Sequence, residues 1–245
     1  MRLTAEERGF FETQGYLVKQ DLISPEWVAE IRADLAGLHE RMAEQPAEGV
    51  HVSWEHEVDP TVQRRIKQLM HAELVSPALD RLCRSDEVLD VVADLIGPDI
   101  SLYHCKLLMK AARDGTVTPW HQDYSYWVTP DNQPLMLNCM LQIDASTHEN
   151  GCLQMVPGSH RQGLVEHDTK AIPFGRFLPG YFQPRPDAVP IPISAGSAIF
   201  FGPLIIHGSD ANRSDHDRRA VTLAYNVTGN ATRGSRGVVR GEGSE

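Results

Sequence analysis

Cysteine is scarce in this 245-residue chain, and its four copies, Cys83, Cys105, Cys139 and Cys152, form no C-x-x-C pair. That pattern offers neither a thiolate zinc site nor a disulfide framework, so free thiols and a cytoplasmic setting are expected. Basic residues are outnumbered: 23 Lys and Arg face 33 Asp and Glu, a net charge of −10. Phosphate binding needs clustered cations, so nucleic acid is not an expected partner, and an anionic membrane surface is disfavoured as well. No apolar run approaches the length of a membrane span. The opening Met1-Arg2-Leu3-Thr4-Ala5-Glu6-Glu7-Arg8 lacks the apolar centre of a secretory signal. No internal repeat and no second domain is visible. With 41% hydrophobic and 23% charged residues, the chain suits one globular domain with a sizeable core, as a monomer or small homo-oligomer.

Residues 1–97 read as mostly helical. Thr4-x-x-Glu7 is a capping box ahead of Phe10 and Phe11, and Gly15 stops that helix before a short strand at Tyr16-Leu17-Val18. Ser24-Pro25 opens a second helix with Trp27, Val28, Ile31, Leu35 and Leu38 at helical spacing. Residues 45–60, carrying His51, Trp54 and His56, read as loop, and residues 61–74 as helix. Further helices start at Ser76-Pro77 and Ser85, the last ending at Gly97-Pro98. From 98 to 228 the texture is that of strands: 100–109, 120–127, 136–143, 152–156, 189–193, 197–201 and 220–227. Residues 163–190, rich in Gly and Pro around Phe174, Arg176, Phe177, Tyr181 and Phe182, read as a lid. The segment 229–245 reads as a flexible tail. Helices first and strands after give an α+β, mainly β, class.

The chemistry gathers at Trp120-His121-Gln122-Asp123. On a strand, residues i and i+2 share a face, so His121 and Asp123 are positioned to bind one ion from one side. His207, far downstream, completes a set of two imidazoles and one carboxylate. Such a set occupies half of an octahedral metal and suits Fe(II), since no thiolate favours zinc. His104, His148, His160, His167 and His216 have no carboxylate at that spacing on a strand face and read as ordinary polar residues. Arg218, eleven residues after His207, is placed to pair with the far carboxylate of a metal-chelating 2-oxo diacid. Arg219 competes for that role, but parity favours Arg218. Its face continues through the small Ala220, Thr222 and Ala224, whereas that of Arg219 continues through Val221, Leu223 and Tyr225.

Five motifs in order carry a resemblance: His121-x-Asp123, Asn150-Gly151-Cys152-Leu153, Pro157-Gly158-Ser159-His160, Ile206-His207-Gly208-Ser209, and Arg218. Across residues 100–226, and at Phe10-Phe11 through Gly15-Tyr16-Leu17-Val18, the chain resembles the phytanoyl-CoA dioxygenase family of Fe(II)/2-oxoglutarate-dependent oxygenases. The resemblance implies a double-stranded β-helix, or jelly roll, backed by the N-terminal helices. It implies Fe(II) on His121, Asp123 and His207. It implies 2-oxoglutarate on Arg218, with Ser209, Leu107 and Leu141 beside it. The expected reaction is oxidation of a small organic molecule by O₂, hydroxylation above all, with release of succinate and CO₂. Related halogenases lack the carboxylate ligand, so Asp123 disfavours chlorination. Candidate substrate residues are Tyr124, Tyr126, Trp127, Phe174 and Arg176. Lys106, Lys110, Arg176 and Arg185 offer cations for a substrate carboxylate or phosphate, but each is read first as an ordinary solvated charge. Two other readings stay open: a cupin-like iron oxygenase or epimerase that uses no 2-oxo acid, and a non-catalytic small-molecule-binding module.

Overall fold

The computed structural model describes residues 2–45, 47–55, 65–168, 175–231 and 236–241. In chain order the elements are α1 (Ala5–Gln14), β1 (Tyr16–Lys19), α2 (Pro25–Asp34), α3 (Leu38–Glu44), β2 (His51–Glu55), β3 (Arg65–Met70), α4 (Pro77–Cys83), α5 (Asp86–Ile96) and β4 (Ile100–Lys110). They continue with β5 (Thr118–His121), α6 (Tyr124–Trp127), β6 (Met136–Gln142), β7 (Leu153–Met155), β8 (Val189–Pro190), β9 (Ala198–Phe201), β10 (His207–Ser209), β11 (Arg218–Val227) and β12 (Val238–Arg240). The start and stop signals of α1 and the starts of α2 and α4 hold. Thr4 and Glu7 form the reciprocal capping box, α1 ends at Gly15 in the left-handed region (φ 84°), and the Ser24 and Ser76 hydroxyls cap α2 and α4.

Two antiparallel sheets make the jelly roll. The larger has the order β1-β9-β6-β11-β4-β3-β2 with β12 also paired to β4, and the smaller has the order β5-β10-β7-β8. Side chains alternate across the larger sheet. Leu107, Leu141, Phe200, Val221, Leu223 and Tyr225 turn to one face and bury against Val28, Ile31, Leu79, Val88 and Val91 of the helices. Met140, Ile199, Phe201 and Ala220 turn to the other face and meet Leu153 and Met155 of the smaller sheet. The helices thus back the larger sheet, and the space between the sheets is left for the site.

Four local expectations are corrected. Residues 65–70, expected as helix, form β3, because Gln68, Leu69 and Met70 pair with Leu108, Leu107 and Lys106 of β4. Residues 51–55, expected as loop, pair with β3 as β2. The region 1–97 therefore contributes three strands to the larger sheet, the expected β1 and two more. The tail is not all loose either: β12 pairs with β4, and Arg240 bridges to Asp90 at 2.9 Å. Finally, residues 120–127 are not one strand, since β5 stops at His121 and α6 begins at Tyr124. His56 lies outside the described residues.

Candidate metal and co-substrate site

His121 and His207 face each other as partners across the antiparallel β5–β10 pair, with ring centroids 4.2 Å apart. Asp123 closes the set from the turn into α6. Its backbone is helical (φ −60°, ψ −32°), so the turn, not a strand face, aims its carboxylate back at the imidazoles. Asp123 Oδ1 lies 3.5 Å from His121 Nε2, and Oδ2 lies 3.6 Å from His207 Nε2. The three buried residues bring their donor atoms within 4.8 Å of one another and could hold a metal ion.

The surroundings prepare the donors. His121 Nδ1 lies 2.8 Å from the Pro119 carbonyl and His207 Nδ1 lies 3.0 Å from the Ile205 carbonyl. A carbonyl can only accept, so each Nδ1 carries the hydrogen and each Nε2 keeps its lone pair for a metal. Burial, and then the neighbouring His121, lower His207 to about 4, so it is neutral at pH 7. Burial by itself pushes Asp123 upward, yet the adjoining His207 and His121, with Lys106, outweigh it and hold the carboxyl well below its usual range. Neutral imidazole beside carboxylate is the protonation state that metal ligands require.

Two positioning residues escaped the sequence reading. Asn138 Nδ2 donates to Asp123 Oδ2 at 2.8 Å. Its signal was an amide inside the apolar stretch of residues 136–141 in β6, every residue of which is buried. Gln122, fully buried between two ligands, donates from Nε2 to the carbonyls of Gly163 and Leu204 and accepts from Val165 N–H at Oε1. It clamps the ligand turn to the segment that follows Ser159.

The triad opens into a cavity of about 870 Å³ between the sheets, which Arg218 also lines. Arg218 is 2% exposed, and its Nε and Nη1 have no hydrogen-bond partner among the described residues. Burial lowers the guanidinium to about 10, so it stays cationic at pH 7. A buried, unmatched cation is costly unless an anion arrives. Arg219, on the opposite face, is spent on Asp144, with Nε–Oδ2 at 2.7 Å and Nη2–Oδ1 at 3.0 Å. Ser209 lines the same cavity and is buried.

Leu107 and Leu141, expected beside the co-substrate, are misplaced. Both are fully buried in the helix-facing core, and their neighbours Leu108 and Met140 line the cavity instead. A one-residue difference in phase on a strand moves a side chain to the other face. Tyr126 and Trp127 do line the cavity, Tyr126 with its ring 6.2 Å from that of His121. Tyr124 does not, for its hydroxyl is turned to Asn132 Oδ1 at 3.0 Å. Arg176 enters through its backbone, whose N–H donates to the Tyr126 hydroxyl at 2.9 Å. Phe174 lies outside the described residues. Lys106 and Lys110, expected to be solvated, line the cavity, and Lys110 is 6% exposed. The described parts of 163–190 are tied to β5: Leu178 N–H donates to the Trp120 carbonyl at 2.9 Å, and Trp120 Nε1 donates to the Gln183 carbonyl at 3.0 Å.

A two-sheet jelly roll with a two-histidine, one-carboxylate set facing a buried arginine is the architecture of a non-heme iron oxygenase. The model of the family "Phytanoyl-CoA dioxygenase (PhyH)" matches residues 11–220. Ectoine dioxygenase of Bordetella parapertussis is 28% identical over 239 residues, covering 91% of this chain and 75% of that protein. L-proline trans-4-hydroxylase of Streptomyces griseoviridis is 33% identical over 170 residues, covering 60% of this chain and 62% of that protein. The crystal structure of EctD from S. alaskensis with bound Fe shares the fold, with a TM-score of 0.75 and 23% identity over 94% of this chain and 79% of that one. The chain belongs to the phytanoyl-CoA dioxygenase family of Fe(II)/2-oxoglutarate-dependent oxygenases. The residues present fit both groups: the donor set suits Fe(II), and the unmatched Arg218 suits a dicarboxylate.

Proposed function

We propose that His121, Asp123 and His207 hold the iron, that Arg218 with Ser209 holds the distal carboxylate of 2-oxoglutarate, and that the protein hydroxylates a small organic molecule. When bound, iron and 2-oxoglutarate supply the activation of O₂, with succinate and CO₂ as co-products. The chain supplies placement. The Pro119 and Ile205 carbonyls fix the two imidazoles, and Asn138 fixes the carboxylate. Tyr126, Trp127 and Phe177 wall the cavity beside the triad and exclude water from it. Asp123 fills a ligand position that chlorination would need for chloride, which supports hydroxylation.

The observation that carries this reading is the buried guanidinium without a partner, in the same cavity as the triad. A cupin-like enzyme or binding module that used no 2-oxo acid would have no need of it. We also infer a cytoplasmic monomer or small homo-oligomer with neither nucleic acid nor membrane as partner. That inference is supported by the net charge of −10, by four free, buried cysteines, and by the lack of any described helix long and apolar enough to cross a membrane. The test is anaerobic titration with Fe(II) and then 2-oxoglutarate, read by the visible absorption of the chelate. Wild type should form it, and alanine at His121, Asp123 or His207 should abolish it and all turnover with the fold intact. A variant that kept iron and near-native activity would break the assignment.

A further inference from the structure

Five cations line the cavity, Lys67, Lys106, Lys110, Arg218 and Arg236, against the carboxylates of Glu55 and Asp123. In a protein of net charge −10 this local excess calls for an explanation. Three of the five are engaged by the protein itself. Lys67 donates to Thr116 Oγ1 at 2.8 Å and lies 3.9 Å from Glu55 Oε2. Arg236 pairs with Glu73 at 2.9 Å, and Lys110 donates to the Thr116 carbonyl. Arg218 is taken, on the reading above, by 2-oxoglutarate. Lys106 remains, and among the described residues its ammonium makes neither a hydrogen bond nor an ion pair.

Lys106 lines the same cavity as His121, Asp123 and His207. His104, two residues earlier on β4, also lines the cavity. Residues two apart on a strand share a face. His104 Nε2 is buried without a partner. Its ring lies 6.0 Å from Trp127 and 5.2 Å from Tyr103, two more residues that line the cavity. Buried polar groups are normally matched, and an unmatched one in a cavity wall marks what the cavity is built to receive.

We infer that Lys106 and His104 form a second anion subsite that reads a carboxylate on the substrate. The substrate class is therefore a small carboxylate-bearing molecule whose body packs on Tyr103, Tyr126 and Trp127. One ammonium beside a neutral imidazole supplies a single positive charge and an N–H, which matches a monoanionic carboxylate; a phosphate, with up to two negative charges, would call for a second cation. Burial, followed by the charge of Lys106, lowers His104 to about 3, so the imidazole stays neutral and contributes a hydrogen bond rather than a charge. Arg218 and Lys106 then divide the work, one anion subsite for the co-substrate and one for the substrate, so that each ligand is oriented by its own cation.

This inference rests on the proposed function, and one experiment separates the two. Enzyme loaded with Fe(II) and 2-oxoglutarate without O₂ is titrated with short straight-chain carboxylates and, in parallel, with the matching primary amides. The readout is perturbation of the chelate absorption. Carboxylates should act at concentrations at least about tenfold lower than amides, the ratio expected when one well-placed charged pair is made or lost. Lys106→Met should remove that preference and Lys106→Arg should retain it, while both chelate 2-oxoglutarate as wild type does. Equal action of acids and amides, or no action by any carboxylate, overturns the subsite. Weakened 2-oxoglutarate chelation in Lys106→Met, or bleaching of the chelate by the carboxylates, moves the residue or the probe to the co-substrate site and overturns it too. Failure of wild type to form the chelate defeats the proposed function, and this inference with it.

Discussion

Replacing Arg218 by Met should produce two opposite effects in one variant. Arg218 is buried, with two guanidinium nitrogens unmatched, so in the ligand-free protein it is a cost. Burial lowers it from 12.5 to about 10. That displacement corresponds to about 3 kcal/mol against the charged form. A basic group depressed on folding carries this cost at every pH below its folded value and sheds it only as pH rises from about 10 to 12.5. At pH 7 the whole cost is present. Arg218→Met should therefore stabilise the ligand-free protein, with about 3 kcal/mol as the ceiling once lost packing is subtracted. The same change removes the partner of the co-substrate. Losing one side of a buried charged pair costs about 2–5 kcal/mol, a rise of roughly 30-fold to a few thousand-fold in the dissociation constant of 2-oxoglutarate.

Arg219→Met is the internal control. Its pair with Asp144 is bidentate but only partly buried, and Arg32 also reaches Asp144, at 3.1 Å. Its loss should cost about 1 kcal/mol of stability or less and leave 2-oxoglutarate affinity within about twofold. The assays are denaturant unfolding of both variants without ligands, and thermal melting with Fe(II) and rising 2-oxoglutarate, where stabilisation follows the ratio of ligand to dissociation constant. The reasoning is refuted if Arg218→Met melts lower without ligands yet binds 2-oxoglutarate like wild type, or if Arg219→Met is the weaker binder.

Three other outcomes are expected. Asn138→Ala should lower Fe(II) affinity by about 10–100-fold through Asp123, measured by equilibrium dialysis, and unchanged affinity would show that the hydrogen bond does not tune the ligand. Lys110 is lowered to about 7 by burial and then by Arg218, so the cost of charging it is complete below pH 7 and vanishes as pH rises toward its ordinary value. The ligand-free protein should accordingly gain stability between pH 7 and 10 relative to Lys110→Met, and parallel pH profiles in urea unfolding would refute this. The backbone bonds between Trp120, Leu178 and Tyr181 predict slow hydrogen exchange at Trp120 and Leu178 without substrate; fast exchange there would instead reveal the segment as a lid.

Local rules worked where the information is local. Capping signals at Thr4, Ser24 and Ser76 place α1, α2 and α4, and in α2 the stripe Trp27, Val28 and Ile31 adds to them, because those hydrogen bonds and contacts lie within a few residues. The same rules fail at residues 65–70. Ile66 and Leu69 are both fully buried and three apart, a helical spacing, yet the strand wins because β4, some forty residues on, offers a paired edge. Pairing at that separation leaves no mark in the local pattern. The jelly roll itself followed from the resemblance, not from composition.

The site shows the same division. On β11 the large side chains at 221, 223 and 225 against small ones at 220, 222 and 224 fix which arginine faces inward, and the sheet obeys that parity. Leu107 and Leu141 carry no such contrast with Leu108 and Met140, so their phase could not be read, and they fall on the helix side. The metal set is the instructive case. Asp123 was reasoned onto the face of His121 by strand alternation, but the strand ends at His121 and the chain turns into α6. A helical residue at Asp123 folds the chain back, so its carboxylate meets both imidazoles from the side that a continuing strand would have left behind. The two histidines, by contrast, owe their approach to cross-strand pairing at a separation of 86 residues, from His121 to His207. Two-residue spacing thus pointed to two residues that do come together, but by a geometry other than strand alternation. What it marks is a strand that ends at His121, leaving the next turn free to bring the Asp123 carboxylate to both imidazoles and, through Gln122 between them, to lock that turn into the core.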